Sequence, residues 1–173
     1  SQQRLIIEEL ATHQLSLLKT KEARKKKKSQ PFLIKNTLSN KLKESLEFKL
    51  TSAQSRCINQ INDDLSSAEP MLRLLQGDVG SGKTIVAVFA LLQAAENNLQ
   101  TAVMAPTEIL ARQHLLNFSN YLSPLGITIA FLSGSQNTHE RKDNLNLIEN
   151  GTAKVIIGTH SLFQESVNFD DLA

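Results

Sequence analysis

The residues best suited to chemistry in this chain form one loop, residues 77–84, which reads GDVGSGKT. This stretch is a full match to the phosphate-binding pattern G-x-x-x-x-G-K-[ST]. Glycine has no Cβ, so the backbone can bend tightly and turn its amides toward a polyphosphate. Lys83 would supply a positive charge for the β- and γ-phosphates, and the Thr84 hydroxyl is the expected ligand of Mg²⁺. The loop therefore predicts a nucleotide site.

The segments that flank this loop are those that such a site requires. Residues 71–75 form a short, mostly apolar run, which predicts a buried strand. Residues 84–95 read as a helix with little polar surface, and its N-terminus would add a positive partial charge beneath the phosphates. An ordinary glycine-rich turn is the alternative, but the Lys-Thr ending and the order of strand, loop and helix favour a phosphate site.

Composition limits the class of protein. The chain has 173 residues, 40% of them hydrophobic, which suits one domain with a core and an appendage. No apolar run approaches the roughly 18 residues of a membrane span, and residues 1–4 lack a secretory-signal pattern. Cys57 is the only cysteine, so no internal disulfide can form, and a small buried side chain on a helix is expected there. These features predict a cytoplasmic protein that does not engage a membrane.

Charge is uneven along the chain, although the formal net charge is only +2. Residues Lys19 to Lys28 form a cationic block that could contact nucleic-acid phosphates. A solvated helix end or linker explains the block equally well. No aromatic residue interleaves the lysines, so base stacking is not supported there.

The chain divides into a helical N-terminal part and an alternating part. Residues 1–28 read as one helix with an approximate apolar stripe, and Pro31 follows its end. A short helix is expected from Ser39 to Glu47, and residues 51–54 fit a capping box that begins a further helix. Beyond the loop, strands and helices are expected in alternation at residues 101–105, 107–121, 127–132, 138–150 and 153–157.

Such alternation implies right-handed crossovers and a parallel sheet that is covered on both faces. Ligands of these sheets bind beyond the carboxyl ends of the strands. The phosphate loop, Pro106-Thr107 and Gly158-Thr159-His160 all follow expected strands, so we expect them at one edge of the sheet.

The segments after the strands resemble superfamily 2 helicases and, among these, the RecG family of bacterial ATP-dependent branched-DNA helicases. The phosphate loop alone is common to a large superfamily, whereas the whole run of motifs in this order is far more specific. The matching stretches are LTSAQ at 50–54, RLLQGDVGSGKT at 73–84, MAPTEILA at 104–111, QH at 113–114, PLGI at 124–127 and IGTHSLFQ at 157–164.

This resemblance implies an α/β fold, namely part of a RecA-like P-loop NTPase domain with a parallel sheet. Residues 48–173 would be the N-terminal part of the first motor domain, and residues 1–47 are similar in character to the helical connector that precedes it. The implied activity is ATP-dependent, Mg²⁺-dependent translocation on branched DNA, at replication forks and Holliday junctions, in recombination and repair.

The family's Asp-Glu box, second motor domain and wedge domain do not occur in this sequence. The acid of that box helps to hold Mg²⁺ and to orient the attacking water. We therefore expect a fragment of a larger helicase that binds nucleotide weakly and is not active alone.

The resemblance also assigns roles in nucleotide binding. Lys83 and Thr84 would be the catalytic pair, with Thr84 on Mg²⁺. Gln54 stands where the family recognises adenine, and Phe48 could stack on the base. The alternative for Gln54 is the capping box alone. The remaining residues of the implied ATP site are Gly77, Asp78, Val79, Gly80, Ser81 and Gly82.

Two segments match those that similar helicases place on the DNA backbone, where contacts are independent of base sequence. The implied residues are Pro106, Thr107, Gln113, Gly158, Thr159 and His160. Residues 133–135 are a third candidate segment, with a plain turn as the alternative. Thr107 could instead be a helix N-cap. His160 has no partner in the sequence that would make it a catalytic base, and no pair of histidines has metal-ligand spacing.

Three other classes stay open. The related motor of the transcription–repair coupling factor is disfavoured by Ala105-Pro106-Thr107-Glu108 and by Ser81. A P-loop NTPase without a DNA role would usually lack the segments at 105–108 and 158–160. A non-enzymatic DNA-binding module would instead rely on the Lys19–Lys28 block.

Overall fold

The computed structural model describes Leu15 and residues 28–173. The helix expected over residues 1–28 and nearly all of the Lys19–Lys28 block lie outside these residues. The described helices and strands are α1 (Thr37–Ser45), α2 (Ser52–Leu65), α3 (Lys83–Glu96), β1 (Thr101–Met104), α4 (Glu108–Leu122), β2 (Ile129–Leu132), α5 (Thr138–Glu149) and β3 (Val155–Gly158).

The strands of the described residues form a parallel three-stranded sheet in the order β1-β3-β2. Every residue of the central strand β3 is buried. Met104 and Leu132 both stand opposite Gly158 in the register, so the three strands end at one level. The predicted alternation of strands and helices beyond the phosphate loop and the predicted parallel sheet are confirmed.

Side chains of β3 alternate between two apolar clusters because successive residues of a strand point to opposite faces. Val155 and Ile157 join the larger cluster, which also contains α3, α4 and Phe131. Ile156 joins a smaller cluster with Ile148 of α5 and other residues. Helices therefore cover both faces of the sheet, as parallel sheets require.

The segment before α1 is held to the C-terminal part of α3 by side-chain amides. Gln93 accepts from Lys35 N at 3.2 Å and donates to Lys35 O at 2.7 Å. Asn97 makes the same pair of bonds with Leu33, at 2.9 Å and 3.0 Å. Residues 33–35 thus follow the helix that begins at the phosphate loop. The predicted domain boundary between residues 47 and 48 stays a prediction.

A second buried amide closes the other end of the sheet. Gln100 is fully buried and donates to the carbonyls of Ile148 and Ala153, both at 2.9 Å. Its side-chain oxygen accepts from the backbone amides of Asp170 and Asp171. Each buried polar atom of this side chain has a partner, so the cost of its desolvation is offset.

The strand expected at residues 71–75 is wrong. This run is extended but pairs with no strand in the part of the chain that the structure describes. Leu72 and Leu74 are 77% and 85% exposed. An apolar run forms a strand only where a neighbour supplies hydrogen bonds, and both neighbours of β3 are already β1 and β2. Arg73 instead ties the run to α2, with bonds to Asp64 at 2.7 Å and Gln60 at 3.1 Å.

Smaller differences concern element ends. The helix expected from Ser39 to Glu47 is α1, two residues earlier, and β2 begins at Ile129 rather than residue 127. None of the helices within residues 28–173 combines the length and the apolar character needed to cross a membrane.

Candidate functional site

The phosphate loop is a tight turn that leads directly into α3. Gly80 and Gly82 have φ values of +81° and +77°, in the left-handed region that other residues rarely adopt. A Cβ on Gly82 would also collide with the side-chain amide of Gln54. Both the conformation and the space therefore require glycine at position 82. Val79 lies at the tip of the turn, fully exposed.

Lys83 is the first residue of α3, and its side chain turns back over the loop. Its Nζ donates to Gly77 O at 2.8 Å and to Asp78 O at 2.7 Å. The ammonium group is thereby held at the beginning of the loop whose end it forms. Thr84, partly exposed, is the next residue of the same helical turn. The sequence-predicted pair of Lys83 and Thr84 is thus placed at a helix N-terminus, where anions are stabilised.

Gln54 connects α2 to the phosphate loop. The predicted capping box is confirmed, because Gln54 N donates to Thr51 Oγ1 at 3.2 Å and Gln54 Oε1 accepts from Thr51 N at 2.9 Å. In addition, Gln54 Nε2 donates to Ser81 O at 3.0 Å. One N–H and one lone pair of the amide remain for a ligand. The capping role therefore leaves capacity for the predicted contact with a base.

Two cavities lie beside the first turn of α2. The loop cavity, of about 270 Å³, is lined by Thr51, Gln54 and Cys57 of this region and by Gly77, Asp78, Ser81 and Lys83 of the loop. Phe48 lines the neighbouring cavity, of about 570 Å³, together with Lys43, Lys49 and Leu50. The structure thus places Phe48 and the loop in adjacent cavities rather than in one. Cys57, expected to be buried, is half-buried on α2 and faces the loop cavity.

The three candidate DNA segments leave the sheet together. Pro106-Thr107 follows β1, residues 133–135 follow β2, and Thr159-His160 follows β3. Because the strands are in parallel register, these segments share the carboxyl edge of the sheet, as predicted. The phosphate loop differs, since it leaves an unpaired segment instead of a strand.

The individual residues of this edge differ in exposure. Pro106, Thr107, Gln113 and His160 are exposed, and Thr159 is partly exposed. Thr107 is also the N-cap of α4, with its Oγ1 accepting from Leu110 N at 3.3 Å. The capping role that the sequence left open is therefore real.

Gly158 is buried, and its backbone lies against β2. A Cβ at this position would collide with Leu132 O. The same carbonyl accepts from Thr159 N at 3.2 Å and from Ser161 Oγ at 2.8 Å. Gly158 therefore has no exposed surface for a ligand, and it contributes by letting the two strands end close together.

Sequence inspection missed Glu108, which connects two of these segments. Its Oε1 accepts from Arg112 Nε at 2.9 Å and from Ser135 Oγ at 2.5 Å. These bonds, that from Ser135 first, lower the pKa of the Glu108 carboxyl below its ordinary value. The spacing of Glu108 and Arg112 is the i,i+4 signal of a helical ion pair and could have indicated half of this network.

Comparison with known proteins places this arrangement in a family. The model of the DEAD/DEAH box helicase family matches residues 51–172. The ATP-dependent DNA helicase RecG of Escherichia coli strain K12 is 46% identical over all 173 residues, which are 25% of that protein. RecG of Haemophilus influenzae is 44% identical over the same span, also 25% of its length. The chain thus spans about a quarter of the length of the curated relatives it matches.

Solved structures agree with these matches. A structure of RecG bound to a three-way DNA junction superposes with a TM-score of 0.90 and 43% identity, over 96% of this chain and 23% of that one. A hypothetical ATP-dependent RNA helicase from Sulfolobus tokodaii gives a TM-score of 0.57 at 18% identity, over 78% of this chain and 38% of that one. The second likeness is one of fold alone.

Proposed function

Because the chain belongs to the DEAD/DEAH box helicase family, we propose that it binds ATP at residues 77–84 as part of a DNA motor. The observation that carries this proposal is the placement of Lys83. Its ammonium group bonds to Gly77 O and Asp78 O at the N-terminus of a 14-residue helix. These are exposed bonds to neutral carbonyls, and a phosphate oxygen is a stronger partner for an ammonium group.

The loop is suited to phosphate in its backbone as well as in its charge. Gly80 and Gly82 turn the chain without a Cβ, and the free amides of the first turn of α3 are available as donors. We propose that the β- and γ-phosphates bind there and that Lys83 moves from the two carbonyls to the phosphates.

Thr84 fits a role in holding Mg²⁺. Among residues 28–173 no group of three or more His, Cys, Asp or Glu side chains lies together as a metal site. Mg²⁺ is commonly held by one or two protein ligands together with substrate phosphates and water, and the Thr84 hydroxyl is the donor that this loop offers. When bound, the ion neutralises charge on the phosphates.

We further propose that Phe48 and Gln54 receive the adenine base. Phe48 is 47% exposed in the cavity next to the loop cavity, so its ring face is available for stacking. Gln54 is tied to Ser81 O through Nε2, which joins the base side of the site to the phosphate side.

Branched DNA is the proposed partner of the whole protein, with roles in recombination and repair. Support comes from the relatives named RecG and from the solved structure of RecG on a three-way junction. The proposed contacts on this chain are made by Pro106, Thr107, Gln113, Thr159 and His160, with Gly158 beneath them. A cytoplasmic location is part of the same proposal.

A nucleotide titration tests the first part. A fluorescent ATP analogue with Mg²⁺ should bind the wild-type chain, and Lys83→Ala should lose most of that binding. Lys142→Ala, which removes an exposed lysine of α5, is the matched control. Equal binding by the wild type and Lys83→Ala would overturn the proposal.

A DNA titration tests the second part and separates it from a P-loop NTPase without a DNA role. Binding of a labelled fork should weaken as salt rises, because phosphate contacts release counterions. Absence of salt-dependent binding would leave nucleotide binding as the function of these residues. That the chain alone turns over little ATP stays a prediction, which a steady-state ATPase assay checks.

A further inference from the structure

Glu108 joins two of the segments that end the strands, although 27 residues separate it from Ser135. It is the first residue of α4 and directly follows Thr107. Its carboxylate accepts the hydroxyl of Ser135, in the turn after β2. The segment after β1 and the turn after β2 are thereby held together by one side chain.

The turn after β2 is arranged so that Ser135 reaches Glu108. Gln136 closes the base of the turn, because its Oε1 accepts from Ser133 N at 2.9 Å and its Nε2 donates to Phe131 O at 3.0 Å. Ser133 Oγ lies 3.4 Å from Ser135 Oγ. The Ser135 hydroxyl is thus directed out of the turn, toward α4.

Arg112 balances the charge of Glu108. Its Nη2 lies 2.8 Å from Glu108 Oε1, and its guanidinium carbon lies 5.2 Å from the centre of the Phe131 ring. Both the carboxylate and the cation–π contact hold the guanidinium on its own protein. Arg112 is consequently engaged within the network rather than presented as a separate ligand for phosphate.

We propose that Glu108 is a positioning residue, which fixes the turn at 133–135 against Pro106-Thr107 so that both contact one DNA strand. This inference rests on the proposed binding of DNA at this edge. An uncompensated carboxylate here would repel DNA phosphates, and the bonds from Arg112 and Ser135 neutralise it. The network therefore both spaces the two segments and removes a repulsive charge from the surface.

The network itself is tested without DNA. Amide hydrogen exchange of residues 133–136 should become faster in Glu108→Ala and in Ser135→Ala, because the turn loses its contact with α4. Glu149→Ala, an exposed glutamate at the end of α5, is the control and should leave these amides unchanged. Unchanged exchange in both Glu108→Ala and Ser135→Ala would overturn the proposal.

The role in positioning is tested with a labelled fork. Ser135→Ala should weaken its binding about three- to ten-fold, as expected for one hydrogen bond to a charged group. Ser135→Thr, which keeps the hydroxyl, should restore it. Equal weakening by Ser135→Thr and Ser135→Ala would overturn the role.

Arg112 provides the sharpest distinction. If it neutralises Glu108, Arg112→Ala should weaken binding, and Glu108→Gln in the same chain should recover most of the loss. If Arg112 instead contacts phosphate directly, the double variant stays weak and its salt slope falls by about one, which contradicts the proposal. A wild-type chain that does not bind the fork would count against the proposed DNA function, while the exchange result would still decide whether the network exists.

Discussion

The phosphate loop is exposed and held by a few polar side chains, whereas the carboxyl edge of the sheet stands on a fully buried strand. Lys83, Gln54 and Arg73 supply the bonds on the loop side, and the segment that leads into the loop pairs with no described strand. On the other side, β3 is buried throughout and fixes where its neighbours end.

This difference predicts that stability and ligand binding are separable in this protein. Bonds on the exposed loop contribute little net stability, because water competes for the same groups. Packing at the carboxyl edge contributes much more, because buried contacts cannot be replaced. Substitutions in the loop should therefore change binding, and substitutions under the edge should change folding.

The largest effect is expected from Gly158→Ala. The new methyl group would collide with Leu132 O inside the sheet, so the strands must separate or bend. We expect a loss of about 3 kcal/mol in the free energy of unfolding, which corresponds to a fall in Tm of roughly 6–12 °C. Thermal denaturation measures it. Gly134→Ala is the control, since a Cβ there meets open space; similar Tm values for the two variants would remove the comparison's structural basis.

Lys83→Ala should show the opposite profile. Its charged bonds serve the phosphates, so nucleotide affinity should fall by at least about ten-fold. The free energy of unfolding should change by less than about 1 kcal/mol, because the bonds that it loses are exposed. Urea denaturation and a nucleotide titration of the same preparation measure both. Destabilisation as large as that of Gly158→Ala would break the distinction between the two regions.

Gln54→Glu sharpens the comparison within a single side chain. Glutamate keeps the capping box of α2 but cannot donate to Ser81 O. The free energy of unfolding should stay within about 0.5 kcal/mol of the wild type, whereas Gln54→Ala should lose about 1 kcal/mol with the cap. Both variants should bind nucleotide more weakly. Wild-type affinity in Gln54→Glu would show that the tether to the loop has no role in binding.

The smallest effect concerns pH. The pKa of Glu108 is lowered by its bonds from Ser135 and Arg112, so the carboxylate is stabilised in the folded state. That contribution is fully present above the ordinary pKa of 4.5 and is lost as pH falls through the lower folded value. The difference in stability between the wild type and Glu108→Gln should therefore shrink in acid. A difference that grows as pH falls would contradict the network.

Local signals predicted the parts of the site that depend on neighbours in sequence. The capping box at Thr51 and Gln54 and the N-cap at Thr107 follow from residue types a few positions apart. The strands β1 and β3 followed from apolar runs between turns. Parallel order then placed the segments after these strands at one edge.

Long-range pairing accounts for what sequence could not give. The run at 71–75 is as apolar as a strand, but whether it pairs depends on which neighbours are present in the sheet. The bond between Glu108 and Ser135 joins two turns that meet only after the sheet has formed. The placement of Cys57 beside the phosphate loop likewise depends on how α2 packs, not on its helical pattern.

Protection of Cys57 tests most directly whether the loop and the first turn of α2 form one nucleotide site. Cys57 is the only cysteine of the chain and lines the loop cavity, half-buried. ATP with Mg²⁺ should slow its alkylation by a small neutral reagent in the wild type, and this protection should vanish in Lys83→Ala. Alkylation that is indifferent to ATP in the wild type, or equally protected in Lys83→Ala, would contradict the site described.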